Sequence, residues 1–308
     1  MPQLVPPLKI VGGAIFLLSF FSFQANSTAI GTATRINTVD IISNFSSLAS
    51  PDPSTSSSAS NSASISLASD FLPFFDDINN PVPGIKPSGS ADVTPPPPTL
   101  NSFDKAVNNI CGAPGTVVNP SSFQVMMRSN PTVLSNIKRF VGGFLISGRT
   151  SDADFLNDLT DIWFKAKGFD HVFCGEPVPG RSIGGMHFVG RYLELQQKGL
   201  GGRLPNNTSR EEVIPGVIYT IGVIMKVGNG TARSPVKGYA YTLNAQEILS
   251  IASLAYKNNP NNNSTTKACH LTVTDQGKTF TTVFVTKNGA VRTFFPDATP
   301  GNNRRCKQ

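Results

Sequence analysis

Residues 269–296 read CHLTVTDQGKTFTTVFVTKNGAVRTFFP. Val, Thr and Phe dominate, and Asp275-Gln276-Gly277 and Lys287-Asn288-Gly289 cut the stretch into three runs, Cys269 to Thr274, Thr279 to Thr286 and Ala290 to Phe295. β-branched and aromatic side chains suit a pleated surface, and short polar turns ending in glycine fold such runs back on themselves. Three antiparallel strands are predicted here, and Val213 to Val227, of the same composition, is read as strand too.

Working outward, the period changes. Ala245 to Tyr256 (AQEILSIASLAY) is apolar at three and four spacing, with Asn244 placed to cap a helix. Phe103 to Ile110, Pro131 to Gly142 and Ser151 to Gly168 repeat that period; in the last, Phe155, Leu159, Ile162 and Trp163 form one stripe behind a Ser151-Asp152 cap. The fold class predicted is α+β, a helical N-terminal lobe with its own core followed by antiparallel β-sheets.

The first hundred residues differ in kind. Lys9 precedes an apolar run from Ile10 to Phe23, short of the about 20 residues a membrane span needs and suited to the hydrophobic region of a signal peptide cleaved after Ala29. An uncleaved membrane anchor is the alternative reading. Residues 30–100 are rich in Ser, Ala and Pro and are expected to be a disordered tether, because too little apolar surface offsets chain entropy. The island Phe71-Leu72-Pro73-Phe74-Phe75 either docks on the domain or stays a sticky patch of linker. The expected layout is therefore 1–29 signal peptide, 30–100 tether and 101–308 globular domain, secreted and without stable membrane insertion once the signal is removed.

Charge follows the same division: net −3 over residues 1–100 and +10 over 101–308. A basic globular part favours polyanionic partners, nucleic acid among them. Its four cysteines, Cys111, Cys174, Cys269 and Cys306, allow two disulfides in three pairings, or four thiols. Sequons at Asn206, Asn207, Asn229, Asn262 and Asn263 lie in polar loops.

Chemistry concentrates in Gly168 to Gly199, GFDHVFCGEPVPGRSIGGMHFVGRYLELQQKG, which holds two of the three histidines of the chain, His171 and His187. Two imidazoles are what transesterification of RNA needs near neutral pH: one takes the proton of the ribose 2′-OH, the other delivers a proton to the leaving 5′-oxygen. A lysine serves as third partner, because charge builds on the phosphoryl oxygens.

Gly168-Phe169-Asp170-His171-Val172-Phe173-Cys174-Gly175-Glu176 resembles the GFEHVFVGE segment of the EndoU endoribonucleases. Gly184-Gly185-Met186-His187-Phe188 is similar to the segment of the second family histidine, and Thr293-Phe294-Phe295-Pro296 to the terminal Thr-x-Tyr/Phe-Pro element in its bacterial form. The resemblance implies an EndoU-like fold with a ribonuclease A-like active site and RNA as substrate. Cleavage is expected to leave a 2′,3′-cyclic phosphate, with no cofactor required and Mn2+ as a possible helper. It implies Lys237, in Val236-Lys237-Gly238, as the catalytic lysine with Lys226 in reserve; His187 as base and His171 as acid, the reverse staying open. Thr293 and Phe295 are expected to hold the base. Phe295 keeps an aromatic face without the hydroxyl of a tyrosine, which weakens the expectation of strict uridine preference.

Plainer readings stand beside these. Asp170 and Glu176 are either solvated carboxylates or one of them orients a histidine. Gly184 and Gly185 either permit a tight turn or let a phosphate approach the helix N-terminus. Tyr192 and Leu195 read as core and Arg191 as an exposed helical arginine. Cys174 sits in a strand-like apolar run as buried thiol or disulfide half, and His270 is a strand residue. A zinc site from His171, Glu176 and His187 is a rival chemistry, although the spacing fits no compact motif; no metal ligand is expected. A binding protein that has lost activity is the non-catalytic rival. Toxin or effector, scavenger and processing enzyme are all open as roles.

Overall fold

The computed structural model describes residues 71–83, 89–207, 210–261, 264–301 and 304–307. The expected signal peptide and most of the expected tether lie outside the described residues. Among those described, no helix is long and apolar enough to cross a membrane.

After a short hairpin, β1 (Val82–Pro83) with β2 (Ser90–Ala91), come α1 (Ser102–Cys111), α2 (Pro120–Ser129), α3 (Pro131–Phe140) and α4 (Asp152–Phe164). A single π turn, Asp170–Cys174, leads into a hairpin of β3 (Glu176–Pro177) and β4 (Ile183–Gly184), then α5 (Val189–Gln197). One antiparallel sheet joins β5 (Gly201–Arg203), β6 (Glu211–Ile214), β7 (Ile218–Val227) and β8 (Gly230–Ala240), with β7 pairing all three others. After α6 (Ala245–Asn258), a second sheet runs in the order β11 (Ala290–Pro296), β10 (Lys278–Lys287), β9 (Thr266–Asp275). The three predicted strands and both glycine turns of 269–296 are present, and α+β is the fold class.

The helix ends follow local chemistry. Asn101 and Asn244 each accept the amide N–H of the residue three further on, and Asp104 and Glu247 accept the cap amides in return, closing two capping boxes. Ser151 accepts the Asp154 amide to open α4. α2 has no counterpart in the sequence reading; its PSSFQVMMRS carries an Asn119 cap and Pro120 in the first turn, but only Phe123, Met126 and Met127 are buried. The expected strand Val213 to Val227 divides into β6 and β7, because Gly216 adopts φ +72° and turns the chain.

Two corrections concern the layers. The helices before residue 170 have no core of their own: Phe123, Phe155 and Trp163 share one apolar cluster with Ile248 and Leu249 of α6 and with Phe280, Phe284 and Phe294 of the C-terminal sheet. The second cluster joins Tyr192 of α5, Tyr219 and Val223 of β7 and Tyr239 of β8 to Phe74, Phe75 and Val93. Where it is described, the expected tether is therefore packed. Gln196 accepts the Phe74 and Phe75 amides, Arg203 Nε donates to the Pro73 carbonyl at 2.6 Å, and the Tyr241 hydroxyl donates to the Pro96 carbonyl at 2.8 Å. Of the two readings of the 71–75 island, docking is the one observed.

Both disulfides form, Cys111–Cys174 and Cys269–Cys306. The first ties α1 to the π turn, and the second ties β9 to the C-terminal segment, where His270 and Arg305 make a parallel bridge.

Candidate active site

The π turn carries His171. Its closing bond, from the Gly175 amide to the Asp170 carbonyl, spans five residues, and Gly175 takes φ +79° to leave the turn. The strand-like run expected around Cys174 is thus a turn, and Cys174 itself is in a disulfide. The β3–β4 hairpin then brings the chain back, pairing Glu176 with Gly184. Met186 donates its amide to the His171 carbonyl at 2.7 Å, and His187 donates its own to the Val172 carbonyl at 2.8 Å. Two histidines sixteen positions apart therefore sit on mutually bonded backbone, their ring centroids 5.8 Å apart at 53°.

Gly185 makes that approach possible. At φ +60°, a Cβ built on it would lie 1.8 Å from the His171 carbonyl oxygen, so no other residue fits. This revises the phosphate-approach reading: the space beside Gly185 is taken by the His171 backbone. Gly168 does the same work between the α4 end and β11, where a Cβ would lie 2.3 Å from the Val291 carbonyl oxygen.

Each histidine is held by Nδ1. The His171 Nδ1 lies 2.6 Å from Glu176 Oε2, and the His187 Nδ1 lies 2.9 Å from the Gly238 carbonyl oxygen. A carbonyl only accepts, so His187 Nδ1 carries the hydrogen and Nε2 keeps its lone pair. Burial pushes the His187 pKa down to about 3, with help from the charges of His171 and Lys237 and against the Gly238 bond, so the ring is neutral at pH 7. Burial drives Glu176 upward, but hydrogen bonds from His171 and Arg292 outweigh it and hold the carboxyl down at about 2. Of the two supporting carboxylates, Glu176 is the one that reaches a histidine. Asp170 accepts the Val118 amide at 2.9 Å instead and fixes the loop after α1; burial raises its pKa.

Lys237 lies on β8 immediately before Gly238, the residue that holds His187. It is half-buried, and desolvation lowers its pKa to about 8, against the pull of the Glu176 carboxylate. Lys226, the reserve, lies at the far end of the β7–β8 hairpin, opposite Thr231 and over the Phe71 ring. The six positions between Thr231 and Lys237 span roughly 20 Å of strand.

β11 closes the site. The Phe295 ring stacks on the His187 imidazole, centroids 5.0 Å apart and 23° from parallel. The face that sequence reasoning reserved for a base is thus partly spent on holding a histidine. Thr293 is buried, and its hydroxyl has no hydrogen-bond partner among the described residues.

Other expectations change. Arg191 is buried, not exposed: it donates to Glu194 and to the Cys174 carbonyl inside the molecule. His270 meets Asp297 at 3.1 Å, away from the pair. No group of three or more His, Cys, Asp and Glu able to hold a metal occurs among the described residues. One residue was missed altogether, Arg292, whose fork meets both Glu176 oxygens; its only sequence signal is its place beside the TFFP element.

Two imidazoles fixed through Nδ1, a lysine on the adjoining strand and an aromatic wall are equipment for acid–base cleavage of a phosphodiester. Residues 165–298, which hold all of these groups, match the family of bacterial EndoU nucleases. The chain carries an EndoU nuclease domain there and is an endoribonuclease. Comparison with curated proteins gives no match. Among solved structures, one similar chain is XendoU, described as a splicing independent snoRNA processing endoribonuclease, at 14% identity over 64% of this chain and 78% of that one, with a TM-score of 0.43. Another is endoribonuclease Nsp15 of Middle East Respiratory Syndrome Coronavirus, at 18% identity over 46% of this chain and 37% of that one, with a TM-score of 0.31.

Proposed function

We propose that this endoribonuclease is exported and cleaves single-stranded RNA at uridines by 2′-OH transesterification, leaving a 2′,3′-cyclic phosphate and a 5′-hydroxyl. His187 Nε2, neutral, takes the 2′-OH proton. The 2′-oxygen attacks phosphorus in line, the bond to the 5′-oxygen breaks, and His171, protonated, delivers a proton to that oxygen through Nε2. Lys237 stabilises the charge that grows on the phosphoryl oxygens. These side chains complete the step without a metal ion.

The observation that carries this reading is the asymmetry of the two Nδ1 partners. A neutral carbonyl leaves His187 a proton acceptor, whereas a carboxylate lies against His171, where a protonated ring has an anionic neighbour. Base and acid are assigned by that difference. Uridine preference is supported by the Thr293-Phe294-Phe295-Pro296 element, which stands beside His187 through the Phe295 ring. Export is supported by the Ile10 to Phe23 run and by two disulfides in a chain without free cysteines among the described residues.

The test is incubation of the chain from residue 64 onward with short RNAs containing a single uridine, with and without a chelator or Mn2+, and identification of the termini. A 2′,3′-cyclic phosphate in the presence of chelator is expected. A 3′-phosphate formed without the cyclic species, or activity that disappears with the chelator, overturns the side-chain mechanism.

A further inference from the structure

We infer that Arg292 is a positioning residue for the reaction: it clamps Glu176 so that His171 presents Nε2 to the scissile phosphate as the proton donor. The inference rests on the acid role proposed for His171.

The geometry is that of a relay across 116 positions of sequence. Arg292 Nη1 donates to Glu176 Oε1 at 2.9 Å and Nη2 donates to Oε2 at 2.5 Å, a two-pronged match of planar groups. Glu176 Oε2 in turn lies 2.6 Å from His171 Nδ1. Arg292 Nη1 also donates to the Ala166 and Lys167 carbonyls, at 3.2 and 3.3 Å, so the guanidinium is anchored to the end of α4 as well as to the carboxylate. Gly168 lets β11 come close enough for this. A carboxylate on a two-residue strand has little to hold it; a planar fork whose Nη1 is also bonded to backbone carbonyls supplies the missing rigidity.

The arrangement also sets charge. His171 faces Glu176 directly, and the field around Glu176 includes Arg292, Lys237, Asp170 and, through Asp170, Lys167, with His187 across the gap. Arg292 and Glu176 form an oppositely charged pair beside His171, so removing either changes what the ring is held against.

Only three histidines occur, so their ring resonances can be followed individually by NMR in the full chain. In Arg292→Gln and in Glu176→Gln the His171 ring resonances are expected to move at a fixed pH, because the ring loses its anchored partner, while those of His270 stay in place. Kinetically, Arg292→Gln is expected to lower kcat about tenfold to a hundredfold with KM within about twofold, because substrate contacts remain and the donor is misplaced. Arg292→Lys keeps the charge without the fork: kcat stays depressed, and this variant also answers a loss of folding in Arg292→Gln. A raised KM with unchanged kcat makes Arg292 an RNA contact and overturns the inference, as do unmoved His171 ring resonances. The underlying reading is tested separately by His171→Ala. Cleavage surviving that change overturns both, whereas cleavage abolished there and untouched in both Arg292 variants overturns the relay alone.

Discussion

At the scale of single residues, the site is two imidazoles made unlike by what touches their Nδ1 atoms. His187→Ala removes the proposed proton acceptor and is expected to lower kcat about 10²- to 10⁴-fold while RNA binding, read by filter retention, changes little. Lys237, lowered to about 8 by desolvation, loses its proton as pH rises through that value. Cleavage is expected to decline above about pH 8. In Lys237→Arg that part of the decline should vanish, since a guanidinium stays charged. The signs for stability run the other way along the pH axis. His187 is neutral in the folded chain down to about pH 3, whereas an unfolded histidine takes a proton below about 6.5. Between those values the unfolded state binds the extra proton, so stability falls as pH is lowered, by at most about 1.4 kcal/mol per pH unit for one group. Glu176, held at about 2, adds to the same trend once pH drops below the ordinary glutamate range. Urea midpoints between pH 7 and 4.5 should fall less steeply in His187→Asn than in the parent.

At the scale of elements, the histidines, Glu176 and Gly185 were legible because they lie in one continuous stretch whose spacing carries chemistry. Arg292 was not, since its partner sits 116 positions away in another sheet, and tertiary packing, invisible to local periodicity, brings the two together. The π turn was equally hidden: DHVFC is too short to show a helical period, and its Val-Phe-Cys end reads as strand. α2 escaped because its buried residues are few. Gly185 was singled out, but for the wrong neighbour. Gly185→Ala is expected to push the two histidine backbones apart and to cost about a hundredfold in kcat, far more than its effect on the thermal midpoint. Cys111–Cys174 closes a 63-residue separation, worth about 4 kcal/mol in the chain-entropy account. Reduction should therefore lower stability and loosen the turn that bears His171 together.

At the scale of the whole molecule, composition misled where it was most uniform. Ser- and Pro-rich sequence around residues 71–100 reads as linker, yet Phe74, Phe75 and Val93 are almost wholly enclosed. Burial there depends on Tyr192 and Tyr239 at distant positions, which no local reading supplies. A chain trimmed to 101–308 should be markedly less stable than one beginning at residue 64, since each lost phenylalanine contact is worth about 3–5 kcal/mol in truncation series. Paired thermal melts of the two decide this, and equal midpoints would mean that the segment merely rests on the surface. The charge division was legible and has a direct consequence: with +10 on residues 101–308, KM for RNA should climb steeply with salt while kcat moves little.

The amides of Met186 and His187, each bonded to the turn that bears His171, have one more implication. The backbones that bear the two rings are spaced by a pair of amide-to-carbonyl hydrogen bonds, not by the fit of one half of the molecule against the other. Warming that loosens side-chain packing between the two apolar clusters should therefore blunt the lysine's grip on phosphate, and the seat of the base, before it alters the path between the two rings. Turnover near the melting range is then expected to fade through weakened substrate hold first and proton exchange last.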